Sequence, residues 1–234
     1  MTRTSVEKTQ TRRSTGKQAI KSEITRTATL DAAIDCFVEL GYSESSTERI
    51  ASRAGITRGA MLHHFPVKRD LLNAVVNYIN KKRIGSFGRA IRRLRNENDR
   101  NKRGLDVYWR SLHTDLYIAY AELRTAARTD RELNSVMRKA TKDFDDRWLQ
   151  LIEELYPEWT HSDELIRFAI DLVQFAMEGM ASNRLSHDVK ARQLSMRDFL
   201  NAIDADILAI SNGAKECTQV SKFLIQLMRN GKNL

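Results

Sequence analysis

Between Ser45 and Lys68 the chain reads SSTERIASRAGITRGAMLHHFPVK, and this stretch leaves the backbone few paths. Two short helical patterns abut at Ala54-Gly55-Ile56, with no room between them for a strand or a long loop. Ser45, with Glu48 three residues on, has the form of a capping box that opens a helix. Ile50, Ala51 and Ala54 then recur at helical spacing. Gly55 supplies the positive φ that a tight helix exit needs. Thr57 can cap a second helix running to His64, with Met61 and Phe65 facing back onto the first. Two helices joined by a short turn containing Gly make a helix-turn-helix, a unit whose second helix can enter a DNA major groove.

The flanking sequence supplies a core for that pair. Leu30, Ile34, Phe37 and Val38 predict a helix from about Glu23 to Leu40, ended by Gly41. It can pack across the pair and close a small core with Ile50, Ile56, Met61 and Phe65, with Tyr42 covering one edge. After Pro66, the residues Leu71, Leu72, Val75, Val76 and Ile79 predict a fourth helix to about Lys82. Lys68 stands at or just before its first turn, where a helix N-terminus already favours a phosphate. Residues 1–21, with Arg3, Lys8, Arg12, Arg13, Lys17 and Lys21, have little to bury and read as a disordered basic arm. Such an arm is either a solvated tail or a segment that follows phosphates or enters a minor groove.

Charge divides the chain. Residues 1–103 hold 22 Lys and Arg against 10 Asp and Glu, a net of +12, whereas residues 104–234 hold 17 against 20, a net of −3. A basic first part lying over a helix-turn-helix pattern predicts a polyanionic partner. No apolar run is long enough for a membrane span, and the first twenty residues lack the apolar block of a secretory signal, so a cytoplasmic location is expected. The two cysteines, Cys36 and Cys217, make no metal spacing, and Cys36 between Ile34 and Phe37 reads as a small core residue. With only two prolines, Pro66 and Pro157, the helical patterns run uninterrupted, and the expected class is all-α.

The segment RTATLDAAIDCFVELGYSESSTERIASRAGITRGAMLHHFPVKRDLLNAVV resembles the DNA-binding domain of the tetracycline-repressor (TetR) family of bacterial regulators. The shared features are Ala32-Ala33, Phe37, Gly41-Tyr42, Ile50-Ala51, Ala54-Gly55-Ile56-Thr57, Gly59, His63-His64-Phe65, Lys68 and Leu71-Leu72, in one register without a gap. At position 62 the family commonly carries a Tyr whose hydroxyl holds a phosphate. Leu62 has no donor and can offer only apolar contact, to a thymine methyl or a sugar. The resemblance implies a ligand-responsive repressor that binds a palindromic operator as a homodimer. An activator on the same scaffold, or a DNA-binding or adaptor protein without an effector, stands as the alternative.

The expected organisation is an arm at 1–21, a helix-turn-helix domain at 22–82 and a helical effector-binding and dimerisation domain at 83–234. Gly85 and Gly88 weaken the helix beyond Lys82, and Asn96–Lys102 reads as a polar connector. Amphipathic stripes follow at Leu105–Leu123, Leu133–Leu155 and Ser162–Met180, then at Met196–Ile210, with a last helix near 215–230. The resemblance implies a dimer interface from the helices near 162–185 and 194–212.

DNA contact is expected at Thr47, Thr57, Arg58, Gly59, Ala60, Leu62, His63, His64 and Lys68. Small residues at 59 and 60 let the helix backbone approach the groove, leaving Arg58 as the long donor suited to guanine O6 and N7. The others position the backbone. The competing role for Arg58 is a surface ion pair with Asp70 or Glu48. Adjacent His63 and His64 point about 100° apart on a helix and make no two-ligand metal site, so no metal or cofactor is expected. No phosphate-binding Gly loop, His-Glu-x-x-His or Ser elbow occurs, and an enzyme is not expected. Aromatic residues at helical spacing are as a rule core; within that limit, Tyr117, Trp148, Phe168, Phe175 and Met177 are the candidate effector-pocket residues.

Overall fold

A computed structural model describes residues 4–94, 96–157, 164–183, 188–211, 218–220 and 222. The helices among them are α1 (Thr4–Glu44), α2 (Thr47–Arg53), α3 (Arg58–His64), α4 (Lys68–Arg92) and α5 (Glu97–Ser111). They continue with α6 (Asp115–Ala126), α7 (Arg131–Leu155), α8 (Glu164–Ser182) and α9 (Val189–Ser211). The described residues contain no strand, and the fold is all-α. No helix among them is long and apolar enough to cross a membrane. The chain divides into two compact units, Met1–Lys82 with Asp115–Phe144, and Arg83–Thr114 with Asp145–Leu234. Both α4 and α7 begin in the first unit and continue into the second.

In the first unit, the apolar stripe of α1 (Leu30, Ala33, Ile34, Phe37) is buried with Ile50 and Ala51 of α2, Met61 of α3 and Phe65. Leu71, Leu72, Val75, Val76 and Ile79 of α4 complete this core. Ala119 and Leu123 of α6, and Leu133, Val136 and Met137 of α7, are buried in the same unit. The sequence pattern shows which face of 115–144 is apolar, but not that this segment joins the first unit. Asp130 caps α7: its Oδ1 accepts the Leu133 N–H at 2.9 Å.

Several local expectations differ from the structure. Where composition predicts an unstructured arm through residue 21, α1 runs back to Thr4. Gly41 does turn the chain, with φ 76° and ψ 169°, but helical bonding resumes beyond it to Glu44. The cap of α2 is Ser46, whose Oγ accepts the Arg49 N–H at 3.3 Å. Ser45, one residue earlier, is buried and donates its hydroxyl to the Gly41 carbonyl at 2.6 Å, so it is not free to cap. In the second unit, α4 passes straight through Gly85 and Gly88 to Arg92, and the expected connector at 96–102 lies mostly in α5. At Gly88 a Cβ would stand 3.2 Å from Leu151 Cδ1, so glycine there serves a close helix approach.

The single stripe expected over 105–123 is two helices. Ser111 Oγ donates to the Tyr108 carbonyl at 2.7 Å and Thr114 Oγ1 to the Ser111 carbonyl at 2.7 Å. These short side chains turn the chain before Asp115 starts α6. The helix expected at 215–230 lies, apart from 218–220 and 222, outside the described residues, as does Cys217. Cys36 is buried in the first unit, and burial raises its thiol pKa.

Candidate nucleic-acid interface

The turn between α2 and α3 is closed by two backbone bonds, Gly55 N–H to the Ser52 carbonyl at 3.1 Å and Ile56 N–H to the Ala51 carbonyl at 3.0 Å. This pattern needs the left-handed residue at its centre, and Gly55 has φ 67°. Thr57 then caps α3, its Oγ1 accepting the Ala60 N–H at 3.1 Å. The hydroxyl proton of Thr57 is not used by that bond and remains a donor. Met61, buried, and Phe65 fasten α3 to the core, and the Arg26 guanidinium lies 5.5 Å from the Phe65 ring centre.

This anchoring turns the opposite side of α3 to solvent. Thr57, Arg58, Gly59, Ala60, Leu62, His63 and Lys68 are exposed, while Thr47 and His64 are partly so. A Cβ on Gly59 would meet nothing closer than its own neighbour Thr57 Oγ1, at 3.9 Å, so the helix surface is low there. Leu62 presents an apolar side chain, 37% exposed, beside the polar ones. The His63 and His64 rings stand edge to face at 5.6 Å. No group of three metal-binding side chains gathers among the described residues.

Arg58 lies in the ion pair weighed against its readout role: Nε is 3.1 Å from Glu48 Oε1. The Glu48 carboxyl is held below its ordinary range, first by its own backbone N–H and the Ser46 hydroxyl, then by Arg58. Both side chains are more than half exposed, and a pair so placed contributes little and is screened by salt. Arg58 can therefore exchange Glu48 for a base edge at small cost.

A polar latch holds the end of α1. Glu122 Oε1 of α6 accepts the Tyr42 N–H at 2.8 Å, and the Tyr42 hydroxyl donates to Asp130 Oδ2 at 2.6 Å. Burial, and then this bond, raise the phenol pKa. The Leu133 N–H and the Tyr42 hydroxyl hold the Asp130 carboxyl low. Lys68 Nζ lies 4.7 Å from the Tyr42 ring centre, which places its charge at the start of α4. Gly41 accommodates the latch, since a Cβ there would come within 3.0 Å of Glu122 Oε1.

The candidate pocket residues do not converge. Tyr117 is buried in α6 of the first unit, and Met177 is fully buried in α8. Phe168 and Phe175, two turns apart on α8, are 60% and 69% exposed. Only Trp148 lines the cavity of the second unit, together with Phe87, Leu105, Tyr108, Tyr156, Val173 and Asp204 among others. The signal missed in the sequence is Asp204, a carboxylate set in the apolar run of α9 beside Ala202, Ile203 and Ala205.

A Gly-turned helix pair anchored by Met61 and Phe65, with its second helix facing solvent, defines a helix-turn-helix protein. Residues 30–75 match the family model described as bacterial regulatory proteins, tetR family. Over 60 residues, 26% of this chain and 28% of the relative, the chain is 43% identical to the HTH-type transcriptional regulator SrpR of Pseudomonas putida. It is 28% identical over 131 residues to the uncharacterized HTH-type transcriptional regulator Mb2936c of Mycobacterium bovis, which covers 54% of this chain and 65% of that protein. The matches thus span less than two thirds of either relative. A crystal structure of a TetR family transcription regulator from Marinobacter aquaeolei VT8 superposes with a TM-score of 0.52 at 14% identity. It covers 81% of this chain and 97% of that one, a likeness of fold alone. The likeness to the tetR family of bacterial regulatory proteins is carried by residues 30–75. These relatives are transcriptional regulators, in line with the expectation that the chain is not an enzyme.

Proposed function

We propose that the protein is a cytoplasmic, ligand-responsive transcriptional repressor that binds a palindromic DNA operator as a homodimer. The observation that carries this reading is the solvent-facing N-terminal end of α3, where Arg58 projects beside the low surface of Gly59 and Ala60. Arg58 reads a guanine, while Thr47, Thr57, His63, His64 and Lys68 position the backbone and Leu62 adds apolar contact. The excess of Lys and Arg in residues 1–103 adds a sequence-independent attraction to phosphate.

Two observations support the dimer and the ligand. Phe168 and Phe175 on α8, with Leu194 and Met196 on α9, are large apolar side chains left exposed, and a second copy would cover them. The helices α4 and α7 both carry cavity residues, Phe87 and Trp148, and both begin in the first unit. A ligand that displaces either helix alters the spacing of two heads that must sit about 34 Å apart on one duplex.

Selection of fragments from a random DNA pool by the full chain tests this. Enrichment of a two-fold symmetric site, bound by two copies of the chain, is the expected result. Enrichment of no sequence, or of a single unpaired half-site bound by one copy, would contradict it.

A further inference from the structure

The cavity of the second unit has walls of one character and a single charge. Its volume is about 70 Å³. The cavity is open on one side, so a flat ring system can enter edge-on with part of it standing in the mouth. Phe87, Tyr108 and Trp148 form an aromatic wall, with ring centres 4.6 Å apart for Phe87 and Trp148 and 5.7 Å for Tyr108 and Trp148. Gly104 lets Tyr156 close a second side, since a Cβ there would lie 2.6 Å from its hydroxyl oxygen.

No Lys, Arg or His lines this space among the described residues. The one charged side chain on its surface is Asp204, for which the described residues supply no hydrogen-bond or ion-pair partner. A carboxylate placed against apolar walls without a counter-charge is a cost to folding. The neighbouring acid Asp206, by contrast, is fully used, its two oxygens accepting the Gln219 and Val220 N–H groups at 2.7 Å each. The aromatic wall has the same polarity as Asp204. The Tyr108 hydroxyl donates to the buried Glu178 carboxylate at 3.3 Å, which sets a second acidic group behind the aromatic wall. An anionic ligand would find no donor of charge here, and a neutral one would leave Asp204 unpaired.

We infer that the effector of this protein is a flat aromatic cation, a protonated or quaternary amine that lies against Phe87, Tyr108 and Trp148 with its charge held by Asp204. The inference rests on the proposed ligand-responsive reading and names the chemical class that reading leaves open.

The test is calorimetric titration of the full chain with three probes of matched shape: 1-methylquinolinium, the uncharged 1-methylnaphthalene and the anionic 1-naphthoate. The cation is expected to bind at least about tenfold more tightly than its neutral isostere, given the strength of a desolvated cation on aromatic faces. The anion is expected to bind weakest. In Asp204→Asn the preference for the cation should vanish while 1-methylnaphthalene still binds. Equal or tighter binding of the neutral probe by the unmodified chain overturns the inference whether or not the variant folds. So does a cation preference that survives in Asp204→Asn, or no binding of any probe. A gel shift on the selected operator separates this outcome from the wider reading. DNA release by probes regardless of charge overturns the cation class and leaves effector control standing. Selective binding of the cation with unchanged DNA affinity overturns effector control and leaves the cation site.

Discussion

The head of the first unit and the cavity wall of the second treat their polar groups in opposite ways. Around the head, polar groups close on one another: Tyr42 with Glu122 and Asp130, Ser45 with Gly41, Tyr78 and Lys82 with Asp31. In the second unit, a carboxylate, Asp204, lines a space walled by aromatic rings and has no partner among the described residues. The first arrangement holds one shape, as a recognition helix presented to DNA requires. The second leaves room and charge for something else to complete, which is where a ligand gains most from binding.

The largest expected effect lies on the tightly closed side. Met61 is fully buried and is the chief anchor of α3. Met61→Ala should destabilise the head by about 3 kcal/mol in urea unfolding, within the range for such core truncations. A loss under about 1 kcal/mol would mean that α3 is not held as described.

Asp204 sharpens the other side. Burial pushes its carboxyl up to about 6 from 3.8, so between those values the folded chain binds a proton that the unfolded chain releases. Stability should therefore fall as pH rises through this window and level off above it. Asp204→Asn should stabilise the protein by on the order of 2 kcal/mol at about pH 8, with the gain gone near pH ~4. Thermal unfolding across that pH range reads it, and a pH-independent difference would remove Asp204 from the account.

The latch gives a smaller effect. Tyr42→Phe removes the bond to Asp130 and should cost about 1.5 kcal/mol, as for hydrogen bonds to charged groups. Because the Asp130 carboxyl is held below its usual 3.8, its contribution is present above that value and is lost as pH falls through the lower, folded one. Chemical denaturation of the variant at neutral and acid pH should show the difference shrinking toward acid. Smallest of all, Leu62→Tyr adds a phenol where the exposed Leu62 offers none. It should tighten operator binding by about 1 kcal/mol through one phosphate bond. Unchanged affinity in fluorescence anisotropy would show that position 62 faces away from the backbone.

What could be read from the sequence follows the same division. The turn at Gly55, the cap at Thr57 and the buried Met61 and Phe65 were legible because each depends on residues a few positions away. Of two adjacent serines, the one that caps α2 was not legible. The Gly41 carbonyl engages Ser45, and that depends on how the chain turns at Gly41. Periodicity showed that 115–144 had an apolar face without showing what it packs on. It likewise could not tell outward Phe168 and Phe175 from inward Met177, because α8 is apolar on more than one side. Asp204 was visible, with Asp206, as an acid in an apolar run, but its importance appears only once the cavity around it is known.

The central claim, that α3 reads DNA through Arg58, is tested most directly by measuring Arg58→Ala and unmodified protein against the selected operator and its single-base variants. The expected result is a loss of about 1–3 kcal/mol concentrated at one guanine, whose replacement then costs the variant nothing further. An equal loss on every sequence, or none, would contradict it and leave Arg58 as the partner of Glu48 alone.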